Sequence, residues 1–242
     1  AAMRVALEPA YVLHGRPYRE SSLLLEVLSR DHGRAAMVAR GARGPRSRLR
    51  NILQPFRPLL LNWNARGELG TMAGGEQVAA PPPLQGEALY CGLYINELLV
   101  RLLHRGDPHP ETFERYREVL ADLASGNPIQ PVLRLFERDL LEAVGYGLML
   151  ESEFGSGNPV SEEAVYDYRP VQGPTRLAAQ PDPQGRALSG AALLGLSAGH
   201  IEPQHFAELR GLMRRVIGYH VGEKPLTSQA LFLGPRKRDS AK

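Results

Sequence analysis

The chain has 242 residues, 43% of them hydrophobic and 23% charged, with a formal net charge of +3. That composition excludes wholesale disorder, and the length suffices for a buried core in one or two domains. No apolar run approaches the roughly 20 residues of a membrane span, no basic-then-apolar leader opens the chain, so a cytoplasmic location is expected, and the single cysteine, Cys91, excludes an internal disulfide and a multi-cysteine zinc site.

In chain order, residues 1–8 carry no sustained pattern and are expected to be a loose start. Residues 11–18 read as a strand bent at Gly15 and ended at Pro17. The continuous apolar character of 22–29 suits a strand buried in a barrel. A turn at 30–33, where Gly33 can take a positive φ, joins it to a third strand over 34–40 as a hairpin. A fourth strand is expected over 55–63, its prolines placing its start at an edge. A last extended segment, 68–80, is broken at Gly74-Gly75, the kind of kink a closing barrel uses. Five strands with a long third connection predict a small closed barrel of the oligonucleotide-binding type over residues 1–80.

Ala80-Pro-Pro-Pro-Leu84 marks a boundary, because no helix or strand interior tolerates three prolines. Residues 81–242 are expected to form an all-α domain, which makes the fold class α+β. Helices are predicted over 87–104, from Pro110 to about 124, and over 131–144, the last capped by Gly145-Tyr-Gly147. The apolar residues of the first cover most of its circumference, so it should be central and buried. Residues 148–187 are rich in Gly, Pro and Ser and read as an irregular insertion, with room for a hairpin near 164–168. Helical signal returns at 189–196, 203–221 and 225–232, and a basic tail follows.

Charge is unevenly placed. Between Asp31 and Glu68 there is no acid, but there are Arg34, Arg40, Arg43, Arg46, Arg48, Arg50, Arg57 and Arg66, so this window carries +8 and the remainder of the chain −5. Guanidinium groups bind phosphate bidentately and stack on bases. The glycines and Pro45 should keep the 40–50 loop out of a helix, free to track a flexible polyanion. A merely solubilising surface would mix in acids. These eight arginines are therefore the candidate nucleic-acid contacts. Trp63, Phe56, Tyr11 and Tyr18 are available for stacking, although a small barrel needs most of them for its core and rim.

Catalytic patterns are missing. The nearest approach to a phosphate-binding loop, Gly218 to Lys224, has the wrong spacing and runs into Pro225. His200 and His205 straddle Pro203 and would not share a helical face. Cys91 lies in an apolar helix, Glu162-Glu163 read as solvated charge, and no nucleophile has a base beside it. The expectation is a protein that is not an enzyme and holds no cofactor. On the 131–144 helix, Arg134 and Arg138 are four apart beside Val132 and Leu135. Such a pair suits an acidic peptide with an apolar end, or else is an ordinary exposed stripe paired with Glu137, Asp139 or Glu142.

Taken together, Tyr11-Val-Leu-His-Gly-Arg-Pro-Tyr-Arg-Glu-Ser-Ser-Leu-Leu-Leu25, Val38-Ala-Arg-Gly-Ala-Arg43, Leu53-Gln-Pro-Phe-Arg-Pro-Leu-Leu-Leu61, Leu93-Tyr-Ile-Asn-Glu-Leu-Leu99, Arg134-Leu-Phe-Glu137 with Gly145-Tyr-Gly147, and Lys224-Pro-Leu226 resemble, in order and spacing, the bacterial recombination-mediator family RecO. The resemblance implies an oligonucleotide-binding barrel and a helical domain that bind single- and double-stranded DNA and anneal complementary strands without ATP. It implies, with the partner RecR, help in loading RecA onto DNA coated by the single-stranded DNA-binding protein SSB. It also implies capture of the acidic SSB C-terminal tail by the helical domain, at Arg134 and Arg138 with Arg210 and Arg214 as companions. Many members of this family carry a four-cysteine zinc motif in the insertion. Residues 148–187 hold no cysteine, so a zinc-free insertion held by packing and hydrogen bonds is expected. Two other readings fit the charge: an RNA-binding barrel protein of translation or ribosome assembly, and a magnesium-dependent nuclease with scattered carboxylates.

Overall fold

The computed structural model describes residues 3–178, 186–222, 224 and 226–228. The chain divides into two compact units, residues 1–124 with 225–242, and residues 125–224. In the first, β1 (Met3–Tyr18), β2 (Ser22–Ser29), β3 (Gly33–Ala39), β4 (Leu59–Arg66) and β5 (Leu69–Gln77) form a closed barrel in the order β1-β2-β3-β5-β4. Every pair is antiparallel except β3 with β5, where Ala36 lies opposite Leu69 and Val38 opposite Thr71.

The long β1 makes closure possible. Its first half pairs with β4, from Met3 opposite Ala65 to Ala10 opposite Leu59, and its second half with β2, from Ala10 opposite Ser29 to Tyr18 opposite Ser22. A strand shared this way must bend, and it does so at register shifts between Val5 and Glu8 and between Val12 and His14. The start of the chain is therefore a strand from Met3 rather than a loose end. Its alternation is hidden because the bulge, with Leu7 at φ 51°, breaks the two-residue period. In β5, Asn62 faces Gly74 and Trp63 faces Met72, so the extra residue is Ala73, one before the expected glycine pair. Gly75 is needed for a different reason: a Cβ there would lie 2.6 Å from Leu61 Cδ2. Val12, Leu25, Val27, Met37, Leu61 and Trp63 fill the interior.

Two helices belong to the same compact unit. α2 (Gly86–Leu102) and α3 (Pro110–Ala124) lie against the outer side of β1. Asn96 Nδ2 donates to the Leu13 carbonyl at 3.1 Å, and the Tyr116 hydroxyl donates to Asn96 Oδ1 at 2.7 Å. The Tyr11 ring packs 5.5 Å from Phe113 and 5.0 Å from Tyr116, centroid to centroid. The last barrel strand ends at Gln77, and the compact unit that holds the barrel runs on to Ala124. Gly33 shows how closely the α2–α3 connection approaches the β2–β3 turn. It sits at φ +68°, and a Cβ there would lie 2.1 Å from the Asp107 carbonyl oxygen.

The second unit contains α4 (Ile129–Ala143), α5 (Gly190–Ala198) and α6 (Phe206–Val221), the last preceded by a 3-10 turn at Pro203–His205. α4 buries Leu133, Phe136, Leu140 and Leu141. It ends as predicted at Gly145, φ +83°, with the Gly145 amide donating to Glu142 and the Tyr146 amide to Leu141. This part of the chain is not all-α. The insertion contains β6 (Val165–Arg169), β7 (Gly173–Arg176) and β8 (Ala187–Ser189), a sheet of order β7-β6-β8. Alternation within β6 buries Tyr166 and Tyr168, and the strand is long enough to pair although too short to stand out in composition. Much of the helix expected at 225–232, and the whole basic tail, lie outside the described residues. Cys91 is fully buried, and no described helix is long and apolar enough to cross a membrane.

Candidate nucleic-acid interface

The arginine loop leaves the barrel at Ala39 and returns at Leu59. It is not wholly irregular, because α1 (Leu49–Ile52) forms one helical turn beyond the glycines and Pro45. Apolar anchors alternate with the charges. Ala42 and Leu53 are buried in the barrel core, and Leu49 and Ile52 pack against it. Between the anchors, Arg40, Arg43, Arg46, Arg48 and Arg50 are exposed. Successive turns, Gly44 amide to Gly41 carbonyl and Ser47 amide to Gly44 carbonyl, both 3.0 Å, shape the segment between them.

Arg43 ties the loop to the β1–β2 turn. Its amide donates to the Ser21 carbonyl at 2.8 Å, and its Nη1 to the carbonyls of Arg19 and Glu20, both at 3.3 Å. This brings in two exposed arginines that the charge window missed, Arg16 and Arg19. Glu20, Glu26 and Asp31 separate them from the window in sequence, and only the strand pairing puts them beside the loop. Among the described residues, no ion pair engages any of the five loop arginines, so their charge faces solvent uncompensated.

The other three arginines of the window are placed differently. Arg34 donates through Nε to the Leu103 carbonyl and through Nη1 to Glu26, each at 2.9 Å, with its side chain only 14% exposed. Arg105 also pairs with Glu26. These contacts join β2, β3 and the end of α2. Arg57 is half-buried and donates to Gln77 Oε1 at 2.8 Å. Arg66 is exposed but lies opposite Leu69, which is level with Ala36. That is three residues short of the loop's exit, about 10 Å at roughly 3.3 Å per residue, on a turn that extends the other way. Of the four aromatics, Tyr11, Phe56 and Trp63 are buried. Tyr18 is half-exposed, with the Arg19 guanidinium 5.2 Å from its ring centroid.

In the second unit, Arg134 is 5% exposed rather than part of an open stripe. Its Nη2 donates to Glu137 Oε1 at 2.9 Å and its Nε lies 2.8 Å from Oε2, with Glu137 also buried. Position 134 shares the inward face of α4 with 137 and 141. Arg138 is held by Asp139 and by the carbonyls of Leu196 and Ser197 at 2.7 and 3.2 Å, where it caps the end of α5. Beside it is a cleft of about 400 Å³, lined by Asp139, Glu142, Leu148, Met149 and Glu151 among others, whose carboxylates do not suit an acidic ligand. Arg210 and Arg214 are exposed, one turn apart on α6.

Ser189, His205 and Glu208 come together, but not as a nucleophilic triad. The Ser189 hydroxyl donates to Glu208 at 2.8 Å and accepts from the Ala192 amide as the cap of α5. The imidazole faces both partners through the same Nδ1, which leaves no relay from serine to carboxylate. The insertion does not fit zinc. It has no cysteine, and its buried carboxylate, Glu153, is bound by Ser156 at 2.9 Å, Arg176 at 2.8 Å and Tyr166 at 3.2 Å. Among the described residues, no three His, Cys, Asp or Glu side chains are grouped to hold a metal.

Fold and site define a class: a small closed barrel with an arginine-clad end, continued by a largely helical second half. Residues 3–81 match the family described as Recombination protein O N terminal, and residues 83–230 match Recombination protein O C terminal. The chain belongs to the Recombination protein O family. It is 44% identical to the DNA repair protein RecO of Nitrosococcus oceani over 231 residues, covering 95% of this chain and 94% of that one. It is 46% identical to the DNA repair protein RecO of Alkalilimnicola ehrlichii, covering 95% and 91%. The corresponding figures for Nitrosospira multiformis are 42%, 95% and 95%. The protein's role lies in DNA repair and recombination.

Proposed function

We propose that the protein is a DNA-binding recombination mediator whose barrel, used as an oligonucleotide-binding fold, holds single-stranded DNA along the arginine loop. The observation that carries this reading is the set of five exposed loop arginines, held in place by buried anchors and free of ion pairs among the described residues. Two strands drawn onto one cationic surface repel each other less and can search for register, which makes ATP-independent annealing the expected activity and requires neither a nucleophile nor a metal. Double-stranded DNA would bind the same face through phosphates alone.

Membership of the family supports extending this reading to recruitment to SSB-coated DNA and to help, with RecR, in loading RecA there. Capture of the acidic SSB tail would fall to the second unit. Exposure favours Arg210 and Arg214 as its contacts, while Arg134 would have to exchange Glu137 for a tail carboxylate and Arg138 is engaged by Asp139. The test is annealing of complementary oligonucleotides, naked and SSB-coated. Replacing the five loop arginines should abolish both, and replacing Arg210 and Arg214 should slow only the coated reaction. Unchanged annealing by the loop variant, or preference for RNA over DNA in direct competition, would overturn the reading.

A further inference from the structure

Phosphate contacts fix a strand's position but say nothing of its bases. On the barrel, Tyr18 is the one tyrosine, tryptophan or phenylalanine among residues 3–78 that is not buried. It stands at the end of β1, paired with Ser22, on the end of the barrel from which the arginine loop leaves. The next residue, Arg19, holds φ 53°, a left-handed conformation that side-chain-bearing residues adopt rarely and at a cost. That turn lays the Arg19 guanidinium against the Tyr18 ring, 5.2 Å from its centroid, while Arg43 of the loop holds the Arg19 and Glu20 carbonyls. A half-exposed ring, a planar cation against it and a phosphate-binding loop tied to the same turn are the parts of a base-stacking platform.

We infer that Tyr18 and Arg19 form the base-stacking subsite of the single-strand surface, with a nucleobase stacked on this pair while Arg43 and its neighbours hold the flanking phosphates. The inference rests on the reading of the arginine loop as a single-stranded DNA surface. A stacking subsite supplies what the loop cannot, a preference for unpaired bases over duplex, because bases within a duplex offer no free face.

The test compares a poly-deoxythymidine oligonucleotide with an abasic one of equal length and charge, measured by fluorescence anisotropy. Replacement of a stacking ring costs roughly 1–3 kcal/mol per base, so Tyr18→Ala should weaken the base-bearing oligonucleotide at least about fivefold and leave the abasic one unchanged. Tyr18→Phe should bind both like the parent. Arg43→Ala should weaken both. Because Tyr18 is half-exposed, Tyr18→Leu serves as a second variant that keeps an apolar side chain on the turn and should behave like the alanine variant. Equal binding of the base-bearing oligonucleotide by Tyr18→Ala and the parent would overturn the stacking subsite, as would equal weakening of both oligonucleotides, which would make the ring a prop for the loop. Failure of the parent to bind either one would instead overturn the underlying DNA reading.

Discussion

At the scale of single residues, eight arginines that look alike in sequence serve different ends. Arg40, Arg43, Arg46, Arg48 and Arg50 stand out from the barrel, whereas Arg34 is built into it through Glu26 and the Leu103 carbonyl. The two kinds should separate on mutation. Arg34→Ala leaves Glu26 with only the more exposed Arg105 and should lower stability by about 1–3 kcal/mol, with little change in oligonucleotide affinity. Arg46→Ala should do the reverse, keeping the melting temperature and weakening binding. Thermal denaturation and anisotropy on the two variants would check this, and a loss of affinity without loss of stability in Arg34→Ala would contradict it. The charge window itself was legible in sequence because an acid-free run is a one-dimensional fact. Which arginine is spent on folding was not, since Glu26 and Leu103 reach Arg34 only through strand pairing and the end of α2. The same holds for Arg16 and Arg19; for Arg134 the pairing with Glu137 was one of the sequence's options, but the burial of the pair on the inward face of α4 was not.

At the scale of elements, the barrel and the two helices against it should melt together. Asn96 is the joint, accepting from Tyr116 and donating to the Leu13 carbonyl. Asn96→Ala strands both partners in a dry environment, and a loss of about 1–3 kcal/mol is expected. Trp63 in the barrel core is the reporter, as the only tryptophan. An unaltered Trp63 transition would mean that the helices and barrel unfold separately. In the insertion, Glu153 does the holding. The hydrogen bond from Ser156, then those from Arg176 and Tyr166, keep its carboxyl below the ordinary value of 4.5 against a smaller opposing push from burial. A carboxyl with a lowered folded-state pKa contributes stability that is full above about 4.5 and is lost as pH falls through the lower folded value. Amide protection in β6 and β7, taken relative to the intrinsic exchange rate at each pH, should therefore fall below pH 4.5, and Glu153→Gln should remove that loss while weakening the hairpin at neutral pH. Protection that stays constant through this pH range in the parent would count against the network. The middle strands of the barrel were readable from turn glycines and apolar runs, and helix ends from their caps, whereas the parallel pairing of β3 with β5 was not. The first strand and the three-stranded sheet were not, because bulges break the two-residue period in one and short strands give little signal in the other.

At the scale of the whole molecule, charge is polarised along the chain. The window from Arg34 to Arg66 carries +8 in a protein of net +3, so the remainder is acidic. Attraction to DNA should therefore be local to one end of the barrel and sensitive to salt rather than a property of the overall charge. The most direct measurement is the salt dependence of affinity for single-stranded DNA, in the parent and in a variant with all five loop arginines replaced. Five contacts on a single strand predict that log affinity falls with log salt at a slope about 3.5 steeper in the parent than in the variant, at roughly 0.7 per phosphate. Equal slopes in the two proteins would contradict the account, because the loop would then hold no phosphate.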